Sequence, residues 1–311
     1  MQSSDNSLGS SQERIQFLLD TAYDSCEKGN YFSAFQYIGD ELTQLYNNID
    51  INELAEIRAI TRDHSIFNLC QQDPYTYRAL TKPRGYAGDA VMLDYIYSGI
   101  VPPDTTRHGQ GIFECTTRSS MGLSVLFRRT LLNAYLNDTV IKNQSARILS
   151  VASGHCRELS GSLALSNIFK GEIIAFDQDQ ESCSEVSLSY QEKVKTIVSG
   201  VNKLWGPSGA ALGQFDFIYS AGLYDYLPEA QAFKLSHSLK RMLKPGGRLV
   251  LGNFSTASSG RGYLDLMMDW HLIYRDKQEL RDLFGDLAGF SLDMYDDPYH
   301  NVTYVEIIRN E

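Results

Sequence analysis

The sequence predicts an α/β fold: a mostly parallel sheet covered by helices on both faces, preceded by a helical N-terminal region. Three observations carry this. From Arg147 onward short apolar runs alternate with amphipathic stretches, as strand–helix–strand units do. The last two apolar runs, 289–295 and Val302–Ile308, are joined by a short loop containing Pro298, too short for a helical crossover, so they should pair antiparallel. Before residue 140 the apolar positions recur at helical spacing instead.

Elements follow in chain order. The first ten residues are polar and expected to fray, and Ser10 with Glu13 then forms a capping box at the head of a helix. Its apolar positions Ile15, Leu18, Leu19, Ala22, Tyr23 and Cys26 keep one face, and Gly29-Asn30 supplies the stop. Helices are expected at about 31–48 and 51–70. Pro74, Pro83, Gly85, Gly88, Gly99, Pro102-Pro103 and Gly109/Gly111 make 71–122 read as loops, before a helix at about Gly122–Leu136. The strands read as Ile148–Val151, Ile173–Phe176, Lys195–Val198, Phe215–Tyr219 and Arg248–Leu251. Helices are expected over 156–168 and 229–242, and the turn Lys244-Pro245-Gly246-Gly247 precedes the fifth strand. No repeat of 20 to 50 residues is visible, which excludes solenoids and propellers.

At 311 residues the chain has room for one large domain or two modest ones, and the change of texture puts a boundary near 140: helices over 1–140, sheet over 141–311. Hydrophobic residues at 43% and charged residues at 21% exclude disordered and collagen-like classes. Twenty-eight Lys and Arg against 38 Asp and Glu give a net charge of −10 without a basic patch, so nucleic acid is not an expected partner. The five cysteines are dispersed, without the paired spacing of a zinc site, and a reduced, cytoplasmic setting is expected. No leader-like start and no long apolar run point to a membrane. No metal is expected, and the oligomeric state is left open, a homodimer included.

The chemistry concentrates at strand ends. Ile148 to Glu158 reads as a first strand, a tight turn at Gly154 and a helix, the place where a doubly wound sheet binds its ligand; a purely structural turn would carry the same residues. Asp177 ends the second strand 23 residues past Gly154, near the spacing of about 20 expected for an acid on a ribose hydroxyl pair, and Gln178 follows it. Ser220-Ala221-Gly222 ends the fourth strand in small residues that let a ligand approach the backbone, followed by Tyr224-Asp225-Tyr226.

This order and spacing, over about 140–311, resembles a class I S-adenosylmethionine-dependent methyltransferase. The resemblance implies a Rossmann-like, seven-stranded sheet with an antiparallel last strand, S-adenosylmethionine as cofactor and a small-molecule acceptor. The first motif departs from the family: Ser150 stands where an acid is usual, and Ala152 and Cys156 where glycines are. Residues 82–94 (Lys-Pro-Arg-Gly-Tyr-Ala-Gly-Asp-Ala-Val-Met-Leu-Asp), with Ser153-Gly154-His155, Ser220 to Tyr226 and Trp270 to Arg275, are similar to a bacterial subfamily of 3-hydroxypalmitic acid methyl ester biosynthesis. That likeness makes a carboxylate, such as a 3-hydroxy acid, the first acceptor to consider. Three alternatives stay open: S-methylation of methionine or another thioether, cyclisation of the cofactor to azetidine-2-carboxylate with release of methylthioadenosine, and a non-catalytic cofactor-binding scaffold.

Candidate residues follow. A sulfonium amino acid presents a carboxylate, an ammonium and a cationic sulfur, which suit Arg84, Asp89 and the ring of Tyr86; a turn closed by a salt bridge is the structural alternative. Ser153, Gly154, Asp177, Gln178, Ser220, Ala221 and Gly222 would complete the cofactor site. Tyr224 and Tyr226 would wall the cofactor or acceptor, with Asp225 beside them. His271 and Arg275 are read on one helical stripe with Leu264, Met267, Met268 and Leu272, where Arg275 would grip an acceptor carboxylate and His271 would serve as base or orient the acceptor. Tyr274 lies beside them, and the Met pair is read as core. His155 is read as capping its turn, without a catalytic role. The N-terminal helices would close as a lid and exclude water.

Overall fold

In the computed structural model, which describes residues 10–311, eight helices run before the first strand: α1 (Ser11–Glu27), α2 (Tyr31–Asn48), α3 (Ile51–Asp63), α4 (Ser65–Cys70), α5 (Pro74–Thr81), α6 (Ala90–Ser98), α7 (Arg107–Thr117) and α8 (Ser120–Lys142). The first nine residues, expected to fray, lie outside the described residues. The capping box at Ser10 forms as the sequence requires, each partner accepting from the other's backbone N–H. The single helix expected over 51–70 is broken at His64. Its backbone is extended, and its Nδ1 accepts from the Ile66 N–H, so it ends one helix and caps the next.

Residues 71–122 hold three helices where loops are expected. Each starts on a side-chain cap: Asp73 accepts from Tyr75 and Thr76, Asp89 from Met92, and Thr106 from Gly109. Pro74 sits in the first turn of α5, where its missing N–H costs nothing. The prolines and glycines there punctuate short helices rather than abolish them.

The sheet contains β1 (Arg147–Val151), β2 (Glu172–Asp177), β3 (Lys195–Val198), β4 (Phe215–Ala221) and β5 (Leu243–Phe254), with α9 (Gln180–Tyr190), α10 (Pro207–Ala211) and α11 (Glu229–Arg241) in the connections. After β5 come α12 (Arg261–Met268), α13 (Lys277–Asp282), β6 (Phe290–Asp296) and β7 (Val302–Arg309). Strand order is β3-β2-β1-β4-β5-β7-β6. The first five strands are parallel, and β7 runs antiparallel to both β5 and β6. This is a Rossmann-like sheet, with the antiparallel last strand where the short loop through Pro298 demands it.

Two local expectations change. No α-helix follows β1: two short 3-10 turns, Arg157–Leu159 and Leu163–Leu165, take its place. Left-handed backbone at Cys156 (φ 50°) and Gly161 (φ 74°) interrupts any longer helix there. The expected turn at 244–247 lies inside β5, absorbed by a register irregularity against β4. A Cβ on Gly247 would lie 2.8 Å from the carbonyl oxygens of Lys244 and Phe215, so only glycine lets the strands close there.

The chain divides into two units, one running up to Leu123 and including Ser259–His271, the other comprising Ser124–Ser258 and Leu272–Glu311. The helical unit thus ends before the expected boundary at 140 and takes α12 back from the sheet half of the sequence. Its core packs Ile15, Leu19, Ile38, Leu42 and Ile57 with Leu266 and Met267 of α12. The core of the sheet unit gathers Leu149, Ile174, Phe215, Ile218 and Leu249 with Leu235 and Leu239 of α11. Each such side chain contributes about 1.5–3 kcal/mol when fully buried. Among the described residues no helix is long and apolar enough to cross a membrane.

Candidate active site at the carboxyl edge of the sheet

Strand order reverses between β1 and β4, and a parallel sheet binds ligands in the crevice beyond its carboxyl ends at such a switch point. The segments leaving those two strands line it. After β1 the backbone is left-handed at Ala152 (φ 53°), Gly154 (φ 52°) and Cys156 (φ 50°). Within this turn the Gly154 N–H is given to Asp177 and the Cys156 N–H to the Ser153 carbonyl. Two of the three positions are not glycine, a cost accepted within a single turn.

Asp177 closes this turn from β2. One carboxylate oxygen accepts from the Gly154 N–H at 2.8 Å and the other from the Asp179 N–H at 2.8 Å. The residue is buried, and burial pushes its carboxyl above the usual carboxylate range while the backbone donors pull it back. A carboxylate has about four lone-pair sites, so two bonds leave acceptor capacity for ligand hydroxyls. Ser153 contributes a buried hydroxyl that meets no partner beyond the soft thiol of Cys156. Gln178 is exposed at the rim.

At the end of β4, Ser220 donates to the Val151 carbonyl at 2.9 Å and so ties β4 to β1. Ala221 is half-buried, and Gly222 has a φ of 108° that only glycine adopts at ease. A Cβ at Gly222 would stand 2.9 Å from Nη1 of Arg128, so a guanidinium from α8 lies directly against this backbone. Arg128 is buried; burial pushes the carboxyls of Glu158 and Asp225 up, and the Arg128 charge offsets part of that push. Sequence reasoning misses Arg128, although a signal exists: Ser124, Arg128, Leu132 and Leu136 share one buried stripe at four-residue spacing, and a cation at core spacing calls for an explanation.

Several expected ligand residues are spent on the protein. Arg275 is buried and donates to the Tyr224 and Leu227 carbonyls and to Oδ1 of Asn253, so it clamps two chain segments rather than gripping an acceptor. Tyr224 is wholly buried, with its hydroxyl against Ser236, and belongs to the core rather than to a ligand wall. Asp225 is also buried: its carboxylate accepts from Phe254 N at 2.6 Å, its carbonyl accepts from Ile273 N, and burial pushes its carboxyl up to about 6. Tyr226 and Tyr274 are half-buried, and the Tyr274 ring lies 6.4 Å from that of Phe254.

The remaining candidates lie in the helical unit. Asp89 is almost fully buried, caps α6 and holds Arg78 at 2.7 Å, which is the salt-bridged turn named as the structural alternative. Arg84 and Tyr86 are half-buried in the turn between α5 and α6. The stripe carrying His271 and Arg275 does not form, because α12 stops at Met268 with left-handed Asp269 (φ 49°) as its cap. His271 is instead half exposed and lies 3.4 Å from Asp265 and 3.2 Å from Asp269. His155 is buried in the turn after β1. Among the described residues no group of three or more His, Cys, Asp and Glu side chains is placed to hold a metal.

No protein-family model matches the sequence, and no curated protein matches it. Among solved structures the chain is similar to a possible exported protein from Bordetella parapertussis, at 15% identity over 100% of both chains with a TM-score of 0.61. It is also similar to magnesium protoporphyrin IX methyltransferase from Synechocystis with bound S-adenosylhomocysteine, at 14% identity over 71% of this chain and 99% of the other, TM-score 0.46. The N-methyltransferase NodS from Bradyrhizobium japonicum is similar at 12% identity over 60% and 88%, TM-score 0.44. The first likeness is one of fold; the other two are too distant to carry more.

Proposed function

We propose that this chain binds S-adenosylmethionine at the carboxyl edge of its sheet and transfers the methyl group to a small-molecule acceptor. The observation that carries the reading is the Asp177 carboxylate, buried at the switch-point edge, anchored to Gly154 N–H and with lone pairs in hand for a diol. The bound cofactor would supply an electrophilic methyl group on a sulfonium. The protein's work is then positioning and exclusion of water, since the leaving group needs no protonation.

The residues present fit such a ligand. Asp177 would hold the ribose hydroxyls, the Ser153 hydroxyl and the Gly154 turn would contact the nucleoside, and Gly222 would let it approach the β4 backbone. Arg128 would provide the cation for the cofactor's carboxylate. Because Arg275 is spent on carbonyls, a carboxylate acceptor rests on the resemblance to 3-hydroxypalmitic acid methyl ester biosynthesis and needs another anchor.

Calorimetric titration with S-adenosylmethionine and S-adenosylhomocysteine tests the reading. Asp177→Ala removes charge-assisted hydrogen bonds of roughly 1.5–3 kcal/mol and should weaken the cofactor by about one to two decades. Unchanged affinity in a folded variant refutes the assignment, and absence of binding in the unmodified protein refutes the whole reading. Mass spectrometry then separates the chemistries: S-adenosylhomocysteine formed only with a 3-hydroxy acid or a thioether is methyl transfer, whereas methylthioadenosine formed without acceptor is cyclisation.

A further inference from the structure

The helical unit holds a cavity of about 770 Å³, within the range of about 300–1,000 Å³ typical of small-molecule sites. It lies among α2, α5, α7, the start of α8 and α12, and every residue lining it belongs to that unit. Its inner wall is made by the rings of Tyr31, Phe35, Tyr75 and Tyr263 and the thioethers of Met121 and Met268. Two of the phenol groups are already satisfied, Tyr31 by His108 Nδ1 at 3.0 Å and Tyr263 by the Thr76 hydroxyl at 2.9 Å, so what they present is ring surface. The charged lining residues, Asp40, Glu114 and Arg118, are exposed and of mixed sign, so none is a buried counter-ion.

Three glycines shape this space, two at its closed wall and one facing open volume. At Gly111 an added Cβ would strike the Tyr31 ring at 2.2 Å, and at Gly260 it would strike Met121 Sδ at 2.0 Å, so both let the wall close tightly. Gly39 is different: it sits in the middle of α2, lines the cavity, and a Cβ there would meet nothing within 4 Å. A helix interior pays about 1 kcal/mol for glycine over alanine, and nothing in the packing of this position demands it.

We propose that this cavity is a binding site for an uncharged ligand built on one or two fused aromatic rings. Stacking on the tyrosine and phenylalanine rings and sulfur–aromatic contacts with the two methionines would recognise it. The proposal is independent of the reading of the sheet edge, and its test uses no adenosylmethionine.

N-Phenyl-1-naphthylamine, a neutral aromatic dye that brightens in apolar surroundings, is the probe. The full chain should bind it saturably at a single site. Gly39→Trp should weaken binding by at least about tenfold. Cys115→Trp intrudes from α7 and gives the same test should Gly39→Trp fail to fold. A third readout needs no variant. Cys115 lines the cavity and is half-buried, whereas Cys26, Cys70, Cys156 and Cys183 are buried. Burial pushes the Cys115 thiol up to about 11, so alkylation followed at alkaline pH should be slowed by the bound dye. No saturable binding, affinity unchanged in a folded Gly39→Trp or Cys115→Trp variant, or alkylation of Cys115 at an unaltered rate overturns the proposal.

Discussion

Arg275 and Asp225 show how burial decides between anchoring and catalysis. A guanidinium that ends on the Tyr224 and Leu227 carbonyls helps satisfy buried backbone acceptors, the Tyr224 carbonyl accepting from the Leu227 N–H as well. Arg275→Lys keeps the charge but replaces a planar fork by a point donor, and a loss of about 2–3 kcal/mol in folding stability is expected by urea unfolding. Asp225 contributes with the opposite sign to most carboxylates. Its folded-state pKa, raised to about 6 by burial, lies above its unfolded value, so its contribution is full below about pH 4 and is lost as pH rises through 6. Asp225→Asn keeps an acceptor for Phe254 N and cannot ionise. The variant should therefore lose less stability than the unmodified protein between pH 4 and 7, read as the difference between two urea-midpoint profiles; superimposable profiles contradict the assignment.

At the scale of elements, α6 depends on one side chain. Asp89 caps its first turn and neutralises Arg78, so Asp89→Ala removes both functions, while Asp89→Asn retains a capping acceptor. A thermal or urea midpoint should fall more for alanine than for asparagine, by about 1 kcal/mol for the cap alone. The same element explains what the sequence makes legible. Periodic apolar runs locate α1, α2, α11 and the strands, because period and burial are both local properties of the chain. Short helices at 74–117 are hidden, because their caps and Pro74 are also loop residues. The absence of a helix after β1 is hidden as well, because left-handed backbone at Ala152 and Cys156 has no signature in residue type. At the candidate site Gly154, Asp177 and Gly222 are legible through spacing, whereas Arg128 comes from a helix outside the motif and is brought there only by packing.

For the whole molecule, the governing fact is that the polypeptide passes between its two units at 123/124, 258/259 and 271/272. The helical unit is therefore incomplete as residues 1–123. Without Leu266 and Met267 its core loses two buried side chains contributed by α12, and the ion pair of Arg58 with Asp265 is lost with them. A chain ending at residue 123 should retain helical far-UV dichroism but lose fixed near-UV signals and bind anilinonaphthalene sulfonate. Rejoining 259–271 through a flexible linker should restore both; a native-like near-UV spectrum without that segment would contradict the assignment of α12 to this core. The crossings also set a timetable on the ribosome. Segments that leave at 5–20 residues per second (a rate of about this order) normally let an N-terminal domain fold first. Here the first 123 residues must wait for about 150 more before α12 arrives, while β5 waits for its neighbour β7, about 50 residues later in the chain. Both units thus finish nearly together, and until 259–311 have emerged the nascent chain carries two unfinished cores, the period in which chaperone dependence should be greatest.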